Sequence, residues 1–492
     1  LRRIFLSALA GLLYCLAFPA FDLWPLAWIF AVPLLFALRQ ATPRQAFVCG
    51  MVSGLVAWAG AVYWIALVMS TYGGMGMPMA MTLLLLLIAY LALYFGAFAW
   101  AASRFSESRL ALLVLPGIWT ALELFRSYAV FSGFPWALLG HSQLPFAALA
   151  QIAELGGVFL ISALVMTANV AIYQALRRQY APLAVAAALV ALSAGFGLWR
   201  MGTAPFDGTP VKAAVVQGNV PQDQKWQPEK VNAILDTYLS LSRKAVEQGA
   251  ELVVWPETAC TFYLFRHWPQ TLRVLNLSMG NSVGFLVGSP AYEEEDDRYL
   301  NRAYLLRNGR IEGFYDKVHL VPFGEYLPFA SLLRNHFKNL TAEVGNFSAG
   351  TEVEPVTDLG VLICFESIFP GISQRLCTKG ARILVNMSND AWFKTWSTPW
   401  QHLQFACFRS IETRRYLVRA VNHGISAVVD PYGRVVSQIG LLREGMIVHP
   451  IAGIDYLSFY VRFGPVIPLS WAVLSIIAAL TLRRAGAKAK DR

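Results

Sequence analysis

The run Val361-Leu362-Ile363-Cys364-Phe365-Glu366 ends a short, unbroken apolar stretch on a cysteine, with an acid two residues further on. An apolar run of this length without polar alternation reads as a strand covered on both faces, as in the sheet of a layered α/β domain. Outward from it, comparable runs occur at 211–217, 252–255, 284–288, 303–307, 383–386 and 426–430, and amphipathic helices fit 228–248 and 398–416. Short buried strands alternating with helices predict a layered sheet domain over this region. No internal repeat stands out. There is no GxGxxG after a strand and no GxxxxGKS/T, so no nucleotide cofactor is expected.

Outside this region the composition changes. Of 492 residues, 56% are hydrophobic and 14% charged, with a mean hydropathy of +0.48; ordinary soluble domains are roughly one-quarter charged. The apolar excess gathers in runs at 4–20, 23–38, 46–69, 76–102, 110–129, 150–175, 181–199 and 463–482. Each approaches or exceeds the roughly 20 residues that cross a bilayer core. The first follows Arg2 and Arg3 like a signal peptide, but no small-residue cleavage site closes it, so it reads as a retained helix. The expected organisation is a membrane domain of about seven helices at 1–204, a catalytic domain at 205–455, and a last helix with a basic tail at 456–492.

The formal charge of +10 sits largely in short segments beside the apolar runs. Arg2 and Arg3, Arg39 and Arg44, Arg104 and Arg109, Arg177 and Arg178, and the 483–492 tail occupy every second connection. The intervening short loops around 21–22 and 70–74 carry no Lys or Arg. By the positive-inside rule both termini are cytoplasmic and the middle domain lies on the opposite face, so the charge reports topology rather than a nucleic-acid surface. Glu123 and Arg126, three apart within a run, either pair or face a cavity or lipid headgroup. Gly133-Phe134-Pro135-Trp136, continuing to Gly140-His141-Ser142-Gln143, breaks helical patterning and suggests a re-entrant or interfacial segment.

Cys15, Cys49, Cys260, Cys364, Cys377 and Cys407 form no CxxC pair and no Cys/His spacing, and His402 and His423 lack a spaced partner, so no metal is expected. Cys377 and Cys407 read as buried thiols, and the two histidines as structural or substrate-facing. Chemistry is carried at the ends of apolar runs. Val253-Val254-Trp255-Pro256-Glu257 supplies a carboxylate, and Tyr315-Asp316-Lys317 opens a Gly/Pro-bent loop that continues to Glu325. A thiol of pKa about 8.5 needs a base or cation to become a nucleophile, which a partly buried carboxylate provides. An ammonium and a backbone N–H beside the cysteine can hold an oxyanion. From the residues alone, the acceptor could equally be water, as in an amidase or nitrile hydrolase. A transporter or receptor with a non-catalytic external domain also stays open.

The order Glu257, Lys317, Cys364 resembles the nitrilase superfamily, which implies a Glu-Lys-Cys triad on an α-β-β-α sandwich. The flanking spans make the whole chain similar to the membrane-embedded branch of that superfamily. The 133–143 stretch, Gln217-Gly218-Asn219-Val220-Pro221, the 315–326 loop, Cys364–Glu366 and 388–393 support the likeness. It implies Glu257 as general base, Lys317 as oxyanion-stabilising cation and Cys364 as nucleophile, with the Phe365 N–H completing the oxyanion hole. It further implies that Glu325 orients the lysine and base, that Glu366 supports the nucleophile, and that Trp226 lies near the substrate entrance. Phe365 departs from the tyrosine common in the family, which removes a hydroxyl but not the N–H. The implied acyl donor is a phospholipid and the implied acceptor a diacylglyceryl apolipoprotein, through a Cys364 thioester and without a cofactor. The stretches 262–265 and 326–333 are candidates for loops that dip into the membrane.

Overall fold

The computed structural model describes all residues except 20, 73–74, 131, 204–206, 327–346, 394 and 491–492. The chain forms two compact units, one of Leu1–Ala66, Met77–Thr203 and Phe463–Arg492, the other of Leu67–Gly76 and Ala204–Arg462. The tail of the 46–69 run therefore groups with the second unit, because the helix Pro43–Val62 ends and a separate helix begins at Trp64.

The first unit is helical. Among the described residues, Pro43–Val62, Met77–Phe105, Ala153–Leu176 and Ala181–Gly202 are long and apolar enough to cross a membrane. Trp24–Ala37 and Val466–Leu482 are shorter apolar helices, so hydropathy runs and full-length spans do not correspond one to one. Arg2–Leu16 has only 15 residues, and Ala111–Tyr128 carries Glu123 and Arg126 in its last two turns. Thr42 starts one span through a reciprocal cap, accepting from the Gln45 N–H at 3.3 Å while Gln45 Oε1 accepts from the Thr42 N–H at 3.1 Å. A Cβ at Gly50 would lie 2.3 Å from the Phe95 carbonyl, so a glycine there lets two spans approach.

Glu123 and Arg126 are turned toward the 133–139 segment, not toward each other. Arg126 Nη1 donates to the carbonyls of Phe134 (2.7 Å) and Trp136 (2.9 Å), and Glu123 Oε1 accepts from the Leu139 N–H at 2.8 Å. The two charged side chains thus satisfy backbone groups of an irregular, buried segment. They also line a small cavity with Tyr14, Trp58, Tyr94 and Trp119. The segment runs on as a buried 3-10 turn, Leu139–Gln143.

The second unit holds two sheets. Strands β1 (Gly208–Gln217), β2 (Leu252–Val254), β3 (Gly284–Glu293), β4 (Arg298–Arg307), β5 (Arg310–Asp316) and β11 (Gly445–Ile454) form one, in the order β11-β1-β2-β3-β4-β5. Strands β6 (Leu359–Ile363), β7 (Ile383–Ser388), β8 (Leu417–Val421), β9 (Ser426–Val429) and β10 (Val435–Ile439) form the other, in the order β10-β9-β8-β7-β6. Within each, three adjacent strands are parallel: β1-β2-β3 and β6-β7-β8.

Alternation along β1 assigns the layers. Ala213 and Val215 pack between the sheets with Val361, Ile363, Val385 and Val418. Ala214 and Val216 face outward, against Leu235, Tyr238 and Leu239 of the helix Val231–Glu247. On the far side, the helices Pro370–Thr378 and Ser397–Thr413 pack on β6 and β8. Four layers result, α-β-β-α. Phe262 and Leu264 are buried in the outer core, so packing, not membrane contact, explains them. In the other candidate loop, 327–333 lies outside the described residues.

Candidate active site

Three strand ends meet at one place. Glu257 lies three residues beyond β2, Lys317 directly follows β5, and Cys364 directly follows β6. Cys364 is therefore not the end of the strand but the first residue of the 3-10 turn Cys364–Ile368, with φ +53°. A left-handed conformation at a non-glycine residue is uncommon and persists only where its surroundings enforce it. Here the chain turns sharply off the sheet and carries the thiol with it.

Lys317 is 1% exposed and sits between two carboxylates, 3.2 Å from Glu257 Oε1 and 2.8 Å from Glu325 Oε1. Burial works against its ammonium, but Glu257 and Glu325 outweigh it and hold the lysine well above its ordinary pKa, as a cation. Asn301 on β4 donates to Glu257 Oε1 at 2.7 Å and reaches Glu325 Oε1 at 3.4 Å. The second Glu325 oxygen accepts from the Val321 N–H at 2.8 Å, fixing that carboxylate in its own loop. Glu257 Oε2 is buried with no hydrogen-bond partner among the described residues. One oxygen of this carboxylate is thus fully engaged and the other is open to receive a proton.

The Cys364 thiol is buried, and burial first, then the Glu257 charge, pushes it up to about 12, partly offset by Lys317. The resting site accordingly holds a thiol and a carboxylate rather than a preformed thiolate. Such a pair needs proton transfer to coincide with attack.

Glu366 joins the pieces. Its Oε1 accepts from the N–H groups of Val318 (2.7 Å) and His319 (3.0 Å), and its Oε2 from that of Ile363 (2.7 Å). Tyr315 Oη donates to it at 3.2 Å. One carboxylate therefore fastens the loop bearing Lys317 to the strand end bearing Cys364. Trp226 lies outside this cluster, 49% exposed on the loop before Val231–Glu247. Phe365 packs its ring edge-on against Phe369 at 5.1 Å between centroids.

Further side chains pack behind and beside these residues. The Cys364 carbonyl accepts from Ser367 Oγ (3.0 Å) and faces His402 Nε2 at 3.2 Å. His402 Nε2 also lies 2.9 Å from Ser367 Oγ, and its Nδ1 lies 3.1 Å from Asp390 Oδ1; burial and then Arg419 hold this histidine below its ordinary pKa, against the pull of Asp390. Arg419 Nη2 donates to Asp390 Oδ2 (2.9 Å) and lies 3.1 Å from His402 Nδ1, closing a buried network behind Cys364. Lys225 is buried beside Glu257, with Nζ 3.1 Å from the Glu257 carbonyl. Ser367, Arg419 and Lys225 lie at positions where isolated polar residues read as solvated or as core, whereas His402 and the 388–393 stretch that holds Asp390 stand out in the sequence. Among the described residues, no group of three or more His, Cys, Asp or Glu side chains is arranged to hold a metal.

Residues 212–453 match the carbon-nitrogen hydrolase family, and the two-sheet sandwich is the nitrilase fold. Residues 10–171 match the apolipoprotein N-acyltransferase N-terminal domain. An apolipoprotein N-acyltransferase of Geobacter metallireducens is 39% identical over 98% of this chain and 96% of its own length. One from Pseudomonas putida is 34% identical over 97% and 95%. The solved structure of Saccharomyces cerevisiae Nit3, a member of branch 10 of the nitrilase superfamily, is similar at 19% identity and a TM-score of 0.39 over 51% of this chain and 92% of that one. The chain belongs to the apolipoprotein N-acyltransferase family.

Proposed function

We propose that this chain moves an acyl chain from the sn-1 position of a phospholipid to the α-amino group of a diacylglyceryl-cysteine at the N-terminus of apolipoproteins, through a thioester on Cys364. The observation that carries the reading is the division of labour on Glu257: Oε1 is bound by Lys317 and Asn301, and Oε2 is unpartnered beside a buried thiol. Glu257 Oε2 takes the Cys364 proton as sulfur attacks the ester carbonyl. Lys317 Nζ and the Phe365 N–H hold the oxyanion. The intermediate collapses, the lysophospholipid alkoxide takes the proton back from Glu257, and the acyl group stays on sulfur. The acceptor amine then attacks the thioester and gives a proton to Glu257. Cys364 leaves as thiolate, recovers that proton, and the amide departs. Trp226 contributes to substrate binding at the entrance.

We read the protein as lying in the bacterial inner membrane, with both termini cytoplasmic and the catalytic domain periplasmic, a reading supported by the alternation of basic loops. Purified protein incubated with labelled phospholipid, without acceptor, tests the chemistry. A stable labelled thioester on the Cys364 peptide is the expected result, absent in Cys364→Ala. Free fatty acid released as fast as phospholipid is consumed would replace the transferase reading with a hydrolase.

A further inference from the structure

A second lysine enters the same site from a different element. Lys225, on the loop ahead of the helix Val231–Glu247, is 2% exposed. Its Nζ donates to the Glu257 carbonyl at 3.1 Å and to Thr258 Oγ1 at 2.7 Å. A loop lysine is ordinarily solvated, and burying one without an ion pair is unfavourable unless something is gained. Both of its partners are neutral, and both belong to the turn that carries Glu257.

That turn is itself strained. Thr258 has φ +45°, in the left-handed region that a β-branched residue rarely enters. On its other side the turn presses against Gly288 of β3, where a Cβ would lie 2.5 Å from the Pro256 carbonyl oxygen and 2.6 Å from the Thr258 nitrogen. The base is thus mounted on a backbone that would relax if its supports were removed. Lys225 is one support, and it brings a positive charge as well.

We propose that Lys225 is a positioning residue for the acyl-transfer chemistry, clamping the strained Glu257–Thr258 turn and placing a second positive charge beside the base and the thiol. The inference rests on the reading given above. The charged groups acting on Lys225 are Glu257, from the turn after β2, and Cys364, from the turn after β6. Burial outweighs both and pushes its ammonium down to about 8. The clamp is therefore charged below that pH and loses its proton above it.

The test is single-turnover thioester formation by the full-length protein in phospholipid nanodiscs, without acceptor, so that only the first half-reaction is read. The wild-type rate should fall as pH rises through about 8. In Lys225→Arg, whose guanidinium does not titrate there, that fall should vanish. Lys225→Met should acylate about 100-fold more slowly below about pH 8, as expected for a base displaced by about an ångström, and the gap to wild type should narrow above it. Should Lys225→Met not fold, Thr258→Val removes one of the two anchors and should slow acylation about fivefold, equivalent to one hydrogen bond of about 1 kcal/mol. A wild-type profile flat through this range, with Thr258→Val or Lys225→Met at the wild-type rate, overturns the inference while leaving acyl transfer standing. Absence of any thioester on wild-type Cys364 overturns both.

Discussion

Glu366 illustrates how one side chain can set two others. Burial raises it to about 7 from an ordinary 4.5, against the pull of three main-chain donors and Lys317. Its pKa in the fold is above the unfolded value, so its contribution to stability is complete below about 4.5 and disappears as pH rises through about 7. Glu366→Gln abolishes that titration. Because both oxygens accept from main-chain N–H groups, an amide leaves at least one donor unmatched whichever way it is placed. Thermal unfolding in detergent should show the variant about 1–3 kcal/mol less stable near neutral pH, with a flatter pH dependence on the acid side. It should also lose acylation, because the Lys317 loop and the Cys364 turn share that carboxylate. Equal melting temperatures and equal slopes for both proteins would remove this role. Glu257 and Cys364 are legible in the sequence because each follows an apolar run, whereas Lys317 follows a polar edge strand and stands out only through the resemblance of its Gly/Pro-bent loop. Lys225 is not legible, since Gln224-Lys225-Trp226-Gln227 has the composition of a solvated loop and only the tertiary fold buries it.

At the scale of elements, β3 decides where Glu257 stands. Gly288→Ala would put a methyl against three main-chain atoms of the Glu257 turn, none of which can rotate away. Overpacking of this kind destabilises by about 1–3 kcal/mol. The same displacement should slow thioester formation about 100-fold. The two effects can be read separately, from a melting curve and from the single-turnover rate. A variant that loses stability but acylates normally would show that the turn is not set by β3. β2 and β6, which carry Glu257 and Cys364, are visible as apolar runs, but β5, which carries Lys317, is not, nor are β8, β10 and β11, and each for a physical reason. β5 and β10 are sheet edges with polar or exposed faces, so neither presents a continuous apolar run. β8 follows the helix Ser397–Thr413 after a short turn, and the buried Arg419 interrupts its apolar residues, so it presents no continuous apolar run. β11 carries Pro450, tolerated because this strand too is an edge.

For the whole molecule, the outstanding matter is which side of the membrane each loop occupies. Arg3 donates to Gln45 Oε1 (2.8 Å) and to the carbonyls of Arg39 and Gln40 (both 3.2 Å), so the start of the chain and the 39–45 loop share one end of the first unit. Glu107 pairs with Arg177 and accepts from Tyr173 Oη at 2.7 Å, so the 104–109 and 177–178 loops also share an end. These are the basic connections that the positive-inside rule assigns to the cytoplasm. Hydropathy alone reads the path less securely, because only four described helices reach full spanning length and the remaining apolar runs fold as shorter helices or as helices bearing buried charges. Thiol labelling in cells resolves the sidedness directly. Five of the six native cysteines are buried and the sixth is partly so, which keeps the background low. Gln179→Cys, exposed beside the basic loop, should react with a membrane-impermeant maleimide only after the inner membrane is opened. Glu295→Cys, exposed on the β3–β4 connection of the catalytic unit, should react while that membrane is intact. The reverse pattern would put the thiol on the cytoplasmic face, away from any acceptor that matures after export, and acylation of exported lipoproteins could not be its task.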